Sequence, residues 1–127
     1  MAQTPFEIPQ QLRELAEKNV EQARYLASLV ESHPELELLA PVSLNVVCYA
    51  YKAPELPLAG QNELNREILM QLQENGIAVP SSTMIRGRFA IRVAITNHRS
   101  QHEDFDLLVA KSVEYGQKQV FTTEKQR

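Results

Sequence analysis

The feature that most limits what this chain can fold into is the run Val79 to His98, VPSSTMIRGRFAIRVAITNH. Two β-rich segments flank Arg86-Gly87, which supplies the turn, so the run predicts antiparallel strands over Ile77–Ile85 and Arg88–Ile95. Pro80 interrupts the first strand, where its missing N–H calls for a bulge or an edge. The second strand sorts by a period of two into Phe89, Ile91, Val93 and Ile95 on one face and Arg88, Ala90, Arg92 and Ala94 on the other. The bulky face is expected to bury against helices. Small alanines beside arginines resemble neither a core nor a fully solvated surface, so the second face is expected to meet a partner or water.

The rest of the chain supplies the helices and two more strands. Pro9 suits a first helical turn, and Leu12, Leu15, Ala16, Val20, Ala23, Leu26, Ala27 and Val30 then recur at helical spacing until His33-Pro34. The opposite face carries Arg13, Glu14, Glu17, Lys18, Glu21 and Arg24, a solvated surface. Leu36 and Leu38 alternate with glutamates in a short strand, and Leu44 to Tyr51 reads as a second, joined to it as a hairpin through Pro41-Val42. Lys52 to Gln61, with two prolines and a glycine, reads as a surface loop. Asn62 is placed to cap a helix built on Leu64, Ile68, Leu69 and Leu72 and ended by Asn75-Gly76. Ser100 and Glu103 form a capping box for a last helix, whose stripe of Phe105, Leu108, Val109 and Val113 is expected to end at Gly116. Residues 117–127 are polar and expected to fray. The order α-β-β-α-β-β-α predicts an α+β fold, a four-stranded, mostly antiparallel sheet with three helices on one face, formed by residues 1–127 as a single domain.

At 127 residues the chain is long enough for one core and short for an enzyme that also encloses a cofactor and substrate. A net charge of −3 supplies no electrostatic reason to seek nucleic acid or anionic lipid. No apolar run reaches the roughly 20 residues that span a bilayer, the N-terminus lacks signal-peptide features, and the single Cys48 suits a reducing compartment, so a cytoplasmic location is expected.

Arg92 is the leading candidate for chemistry. Between two alanines it could clamp a carboxylate or phosphate through its fork of donors; equally, it could cover an exposed sheet face or pair with a glutamate. Arg86, Arg88 and Arg99 could extend it into a basic patch or simply charge a hairpin turn. His98 and His102 have helical metal-ligand spacing, but the cap at Ser100 falls between them and no third ligand is apparent. Cys48, in an apolar strand with no recognisable base, reads as a small buried hydrophobe. Ser81, Ser82 and Thr83 lack the glycines of a phosphate loop and read as a polar strand.

Two longer blocks carry a more specific signal. LLAPVSLNVVCYAY, followed by LNREILMQLQENGIAVPSSTMIRGRFAIRVAITNHRSQHEDFDLLV, resembles the C-terminal segment of the group II pyridoxal-phosphate-dependent amino-acid decarboxylases, from about Ala23 to Val113. The resemblance implies the small domain of a fold type I dimer, with the open sheet side packed toward a large, cofactor-binding domain. It implies that Arg92 approaches a substrate carboxylate, and that Thr83 and Asn97 are site-lining or structural positions. It also implies pyridoxal phosphate (PLP) as cofactor and an amino acid as substrate.

The departures from that family bound the claim. The cofactor needs a Schiff-base lysine, usually after a histidine, and none of Lys18, Lys52, Lys111, Lys118 and Lys125 follows one. A recognisable aspartate for the pyridine nitrogen and a glycine-rich phosphate cup are missing as well. The expectation is therefore a C-terminal domain that contributes substrate-side residues and packing to a PLP-dependent carboxy-lyase, binds no cofactor alone and is not catalytic alone. A stand-alone interaction or ligand-binding module derived from this domain is the alternative. Substrate identity, and decarboxylation against aldehyde-forming chemistry, are not readable from these residues.

Overall fold

A computed structural model describes residues 9–77, 80–95 and 102–125, without the side chains of Leu15 and of residues 122–125. Its elements are α1 (Gln10–Ser32), β1 (Leu36–Leu38), β2 (Val46–Tyr51), α2 (Leu58–Glu74), β3 (Ser81–Ile85), β4 (Arg88–Ala94) and α3 (His102–Lys125). The four strands form one antiparallel sheet in the order β1-β2-β4-β3, so β4 lies between β2 and β3. Arg86 and Gly87 both take positive φ, 51° and 80°, the backbone of the tightest hairpin turns.

The helices share one face of the sheet. α1 packs on β1 and β2, α2 on β4 and β2, and α3 rests against both other helices and touches β2. Between the layers lie Leu26 and Val30 of α1, Val47 and Tyr49 of β2, Ile68 and Leu72 of α2, Ile91 of β4, and Leu108 and Val109 of α3, all fully buried. At about 25 cal/mol per Å² of apolar surface removed from water, burial of this kind is the main force holding the layers together. No helix among the described residues is long and apolar enough to cross a membrane.

Several boundaries differ from the sequence expectation, each for a local reason. β2 starts at Val46 instead of Leu44, because Ser43 and Val46 close a tight turn with Leu44 at φ 48° and largely exposed. The segment joining β1 to β2 is accordingly longer than a two-residue break. α2 begins at Leu58, preceded by Pro57 in extended backbone, so the last four residues of the expected loop are helix and Asn62 lies inside it. β3 begins after the buried Pro80, and Ile77 is buried outside any strand. α3 continues past Gly116 to Lys125, because Gly116 lies against the ring of Tyr51, where a Cβ would overlap it, while Tyr115 and Val120 extend the helix's contact with the core.

Asn62 and Asn65, one turn apart on α2, bind where the β2–β4 ladder stops. The last pair of that ladder is Tyr49↔Ile91. Beyond it, the Tyr51 N–H donates to Asn65 Oδ1 at 2.7 Å and Asn65 Nδ2 donates to the Tyr51 carbonyl at 3.3 Å. The Phe89 N–H donates to Asn62 Oδ1 at 2.8 Å, and Asn62 Nδ2 to the Gly87 carbonyl at 3.0 Å. Helix amides thus meet backbone groups that a continuing ladder would have paired.

Candidate functional site

The face of the sheet away from the helices is set by strand parity. Val47, Tyr49 and Tyr51 of β2 turn toward the helices, leaving Val46, Cys48 and Ala50 on the open side; β4 contributes Arg88, Ala90, Arg92 and Ala94 there, as its period predicts. From β3 come Ser81, Thr83 and Ile85, and from β1 comes Glu37.

Arg92 occupies the middle of this face. Its register partners are Cys48 on β2 and Ser81 on β3, and its side chain is half-buried. Among the described residues no carboxylate lies within ion-pair distance of it. Of the two ordinary roles open to it, pairing with a glutamate is therefore not the one observed. Thr83 is half-buried on the same face, opposite Ala90, so the two sit diagonally from each other across the β3–β4 pair. Asn97, His98, Arg99 and the Ser100 cap lie outside the described residues.

Of the possible basic patch, the two described members do not gather around Arg92. Arg88 Nη2 donates to Glu37 Oε1 in an ion pair, so its charge is met on the face itself, while Arg86 is exposed at the hairpin turn. Because β2 separates β1 from β4, this pair must bridge over β2, and Glu37's partner there is Ala50. Ala50 and Ala90 are buried although they point away from the helices. A larger residue at Ala50 would stand in the way of the bridge, which accounts for an alanine at that position.

Cys48 is the clearest difference from the sequence reading. It is half-buried on the open face beside Arg92 and is not a core residue. Burial pushes its thiol up from the usual range, and the Arg92 guanidinium pulls it partly back. The parity of β2, with Tyr49 and Tyr51 turned inward, was the signal that placed it. His102 is exposed at the start of α3 and stacks on Tyr25, ring centroids 3.8 Å apart, while the Tyr25 hydroxyl donates to Asp106 at 2.5 Å. Among the described residues no group of His, Cys, Asp and Glu could hold a metal ion. Ser81 and Ser82 are exposed, without a surrounding anion loop.

Comparison with known proteins places this fold. No family model matches the chain. It is 32% identical over 89 residues to tyrosine decarboxylase 4 of Petroselinum crispum, a match covering 67% of this chain and 18% of that protein. Among solved structures it resembles Oryza sativa TDC with PLP and tryptamine, with TM-score 0.77 and 21% identity over 85% of this chain and 24% of that one. Rhodiola rosea 4-hydroxyphenylacetaldehyde synthase gives TM-score 0.75 and 23% identity, over 84% and 23% of the two chains. The chain therefore spans about a fifth of the length of the proteins it matches. It is related to one segment of the group II PLP-dependent decarboxylases, the tyrosine and tryptophan decarboxylases among them.

Proposed function

We propose that this chain acts as the C-terminal small domain of a PLP-dependent amino-acid decarboxylase, with its open sheet face closing one side of a site whose cofactor is held by a large domain. The observation that carries the reading is Arg92, half-buried at the centre of a face of small side chains with no carboxylate partner among the described residues. A guanidinium so placed can take a substrate carboxylate in a two-bonded fork. Thr83 lines the same face in this reading, and Asn97 is assigned a site-lining or structural role. Residues 1–127 form one domain, the substrate is an amino acid, the intact enzyme is a cytoplasmic homodimer, and neither nucleic acid nor membrane is a partner.

Among the lysines whose side chains are described, none fits the cofactor. A Schiff-base lysine must lose its proton to attack an aldehyde, which calls for a desolvated or otherwise depressed ammonium. Lys111 is instead held charged by Glu114, 3.0 Å away, which pushes it upward, and Lys18, Lys52 and Lys118 are exposed. When bound in the complete enzyme, PLP supplies the electron sink for the carbanion left by departing carbon dioxide. Arg92 and the open face bind and orient the substrate and exclude water.

Mixing the purified chain with PLP and borohydride tests the division of labour: no stoichiometric adduct is expected, and one lysine labelled at one equivalent would contradict it. Replacing the matched segment of a tyrosine decarboxylase with residues 23–113 tests the placement. The expected outcome is a folded, PLP-loaded chimera that releases carbon dioxide. A folded, PLP-loaded but inactive chimera would favour the stand-alone interaction module.

A further inference from the structure

A second charged feature lies away from Arg92. Glu37, Lys52, Ala53, Pro54, Gln61 and Arg88 line an open cleft of about 250 Å³ where β2 runs into the turn before α2. The Arg88–Glu37 pair forms one wall, each side chain retaining 31% of its exposure. Lys52 faces them, and no carboxylate among the described residues lies within ion-pair distance of its ammonium. The cleft therefore carries two cations against one anion, in a chain whose net charge is −3.

We propose that this cleft binds a carboxylate between Lys52 and Arg88. Arg88 has five N–H donors, and a carboxylate at Glu37 leaves donors free to hold a second one. Lys52 supplies a mobile point charge that neutralises the incoming group. Glu37 sets the charge limit: its own negative charge opposes a dianion, so the cleft selects a monoanionic carboxylate over phosphate. Gln61 is held in place by its amide, which donates to the Leu56 carbonyl at 2.8 Å, and it shapes the wall without competing for the anion. The same chemistry can arrive as a free carboxylic acid or as an acidic side chain on a surface docked against the sheet. The site does not depend on Arg92 or on the decarboxylase reading, since binding here is measured without cofactor or large domain.

The test is an NMR titration of the complete chain with acetate, and separately with the capped amino acid acetyl-aspartyl-amide, against sodium chloride at equal ionic strength. Saturable shifts at Lys52, Ala53, Gln61 and Arg88 are expected with both carboxylates and not with chloride. Lys52→Met, which keeps the length of the side chain and removes its charge, should weaken binding by roughly tenfold, the loss expected when one charge-assisted hydrogen bond is removed. Tighter binding of the aspartyl compound than of acetate identifies a docked side chain, and equal or weaker binding a free acid; either supports the site. Shifts that do not saturate, that chloride reproduces, or that persist unchanged in Lys52→Met overturn it, as does inorganic phosphate binding more tightly than acetate. Reading the titration at Lys52 and Gln61 separates this site from the other, because both residues line the cleft and Arg92 does not.

Discussion

Arg92 and Cys48 share one point on the open face, and the thiol reports on the guanidinium beside it. Because burial outweighs the attraction of Arg92, the Cys48 thiol ionises above its usual range. A raised value means the folded chain holds this proton more tightly than the unfolded one. Its contribution to stability is present below the unfolded value and is lost as pH rises through the folded one. The rate–pH profile for alkylation of Cys48 by iodoacetamide should have its midpoint above that of an unhindered thiol, and Arg92→Ala should move that midpoint further up. A midpoint that stays put or falls in the variant would show that the guanidinium does not stand over the sulfur. Asn65 is the second residue whose role is fixed by position. It is buried and meets both backbone groups of Tyr51, so Asn65→Ala leaves a buried N–H and carbonyl without their partner. Urea denaturation should show a loss of about 2 kcal/mol, and a loss below 0.5 kcal/mol would mean that water replaces the amide at about that cost.

At the scale of elements, what the sequence made legible follows the range of the interaction involved. The hairpin at Arg86-Gly87, the two faces of β4 and the left-handed exit at Gly76 rest on neighbours in the chain, and all three are present. The features that escaped depend on partners far away in sequence. Asn62 has the chemistry of a helix cap, yet it serves the hairpin at Gly87 and Phe89 from inside α2. Cys48 sits among apolar residues, but only the side chosen by Tyr49 and Tyr51 decides which way it points. Gly116 carries the local signature of a helix end, and the ring of Tyr51 is what makes a glycine necessary in mid-helix. Gly116→Ala should therefore destabilise the fold despite the better helix propensity of alanine. The expected net loss is about 1 kcal/mol in thermal or urea unfolding, since overpacking outweighs a propensity gain of about that size. A more stable variant would show that the Tyr51 ring has room to move aside. The period of α1 also continued further than its burial: Ala23, Leu26, Ala27 and Val30 are buried, whereas Leu12 and Ala16 are exposed.

For the whole molecule, the sheet has the two unequal faces that the proposed place in a larger enzyme requires. Its helices cover one face completely enough to make a core, and the other face keeps Arg92 without a carboxylate partner among the described residues. The proteins this chain resembles are more than three times as long, so the proposed activity belongs to an assembly in which this chain is one wall. Arg92 was visible in the sequence because it stands in mid-strand with an alanine two residues away on either side. The expectation that this chain alone holds no cofactor rests on its five lysines, none after a histidine. What could not be read was which groups the sheet would bring beside the arginine, since register pairs Cys48 and Ser81 with it from two other strands. The most direct test of the account is kcat/KM for carbon dioxide release by the tyrosine decarboxylase chimera carrying residues 23–113, compared with its Arg92→Ala and Arg92→Lys variants at equal PLP occupancy. Loss of a two-bonded carboxylate contact predicts a fall of roughly 100-fold for Arg92→Ala, from about 3 kcal/mol of charge-assisted bonding, with Arg92→Lys intermediate. Wild-type kcat/KM in both variants would contradict it and remove Arg92 from the site.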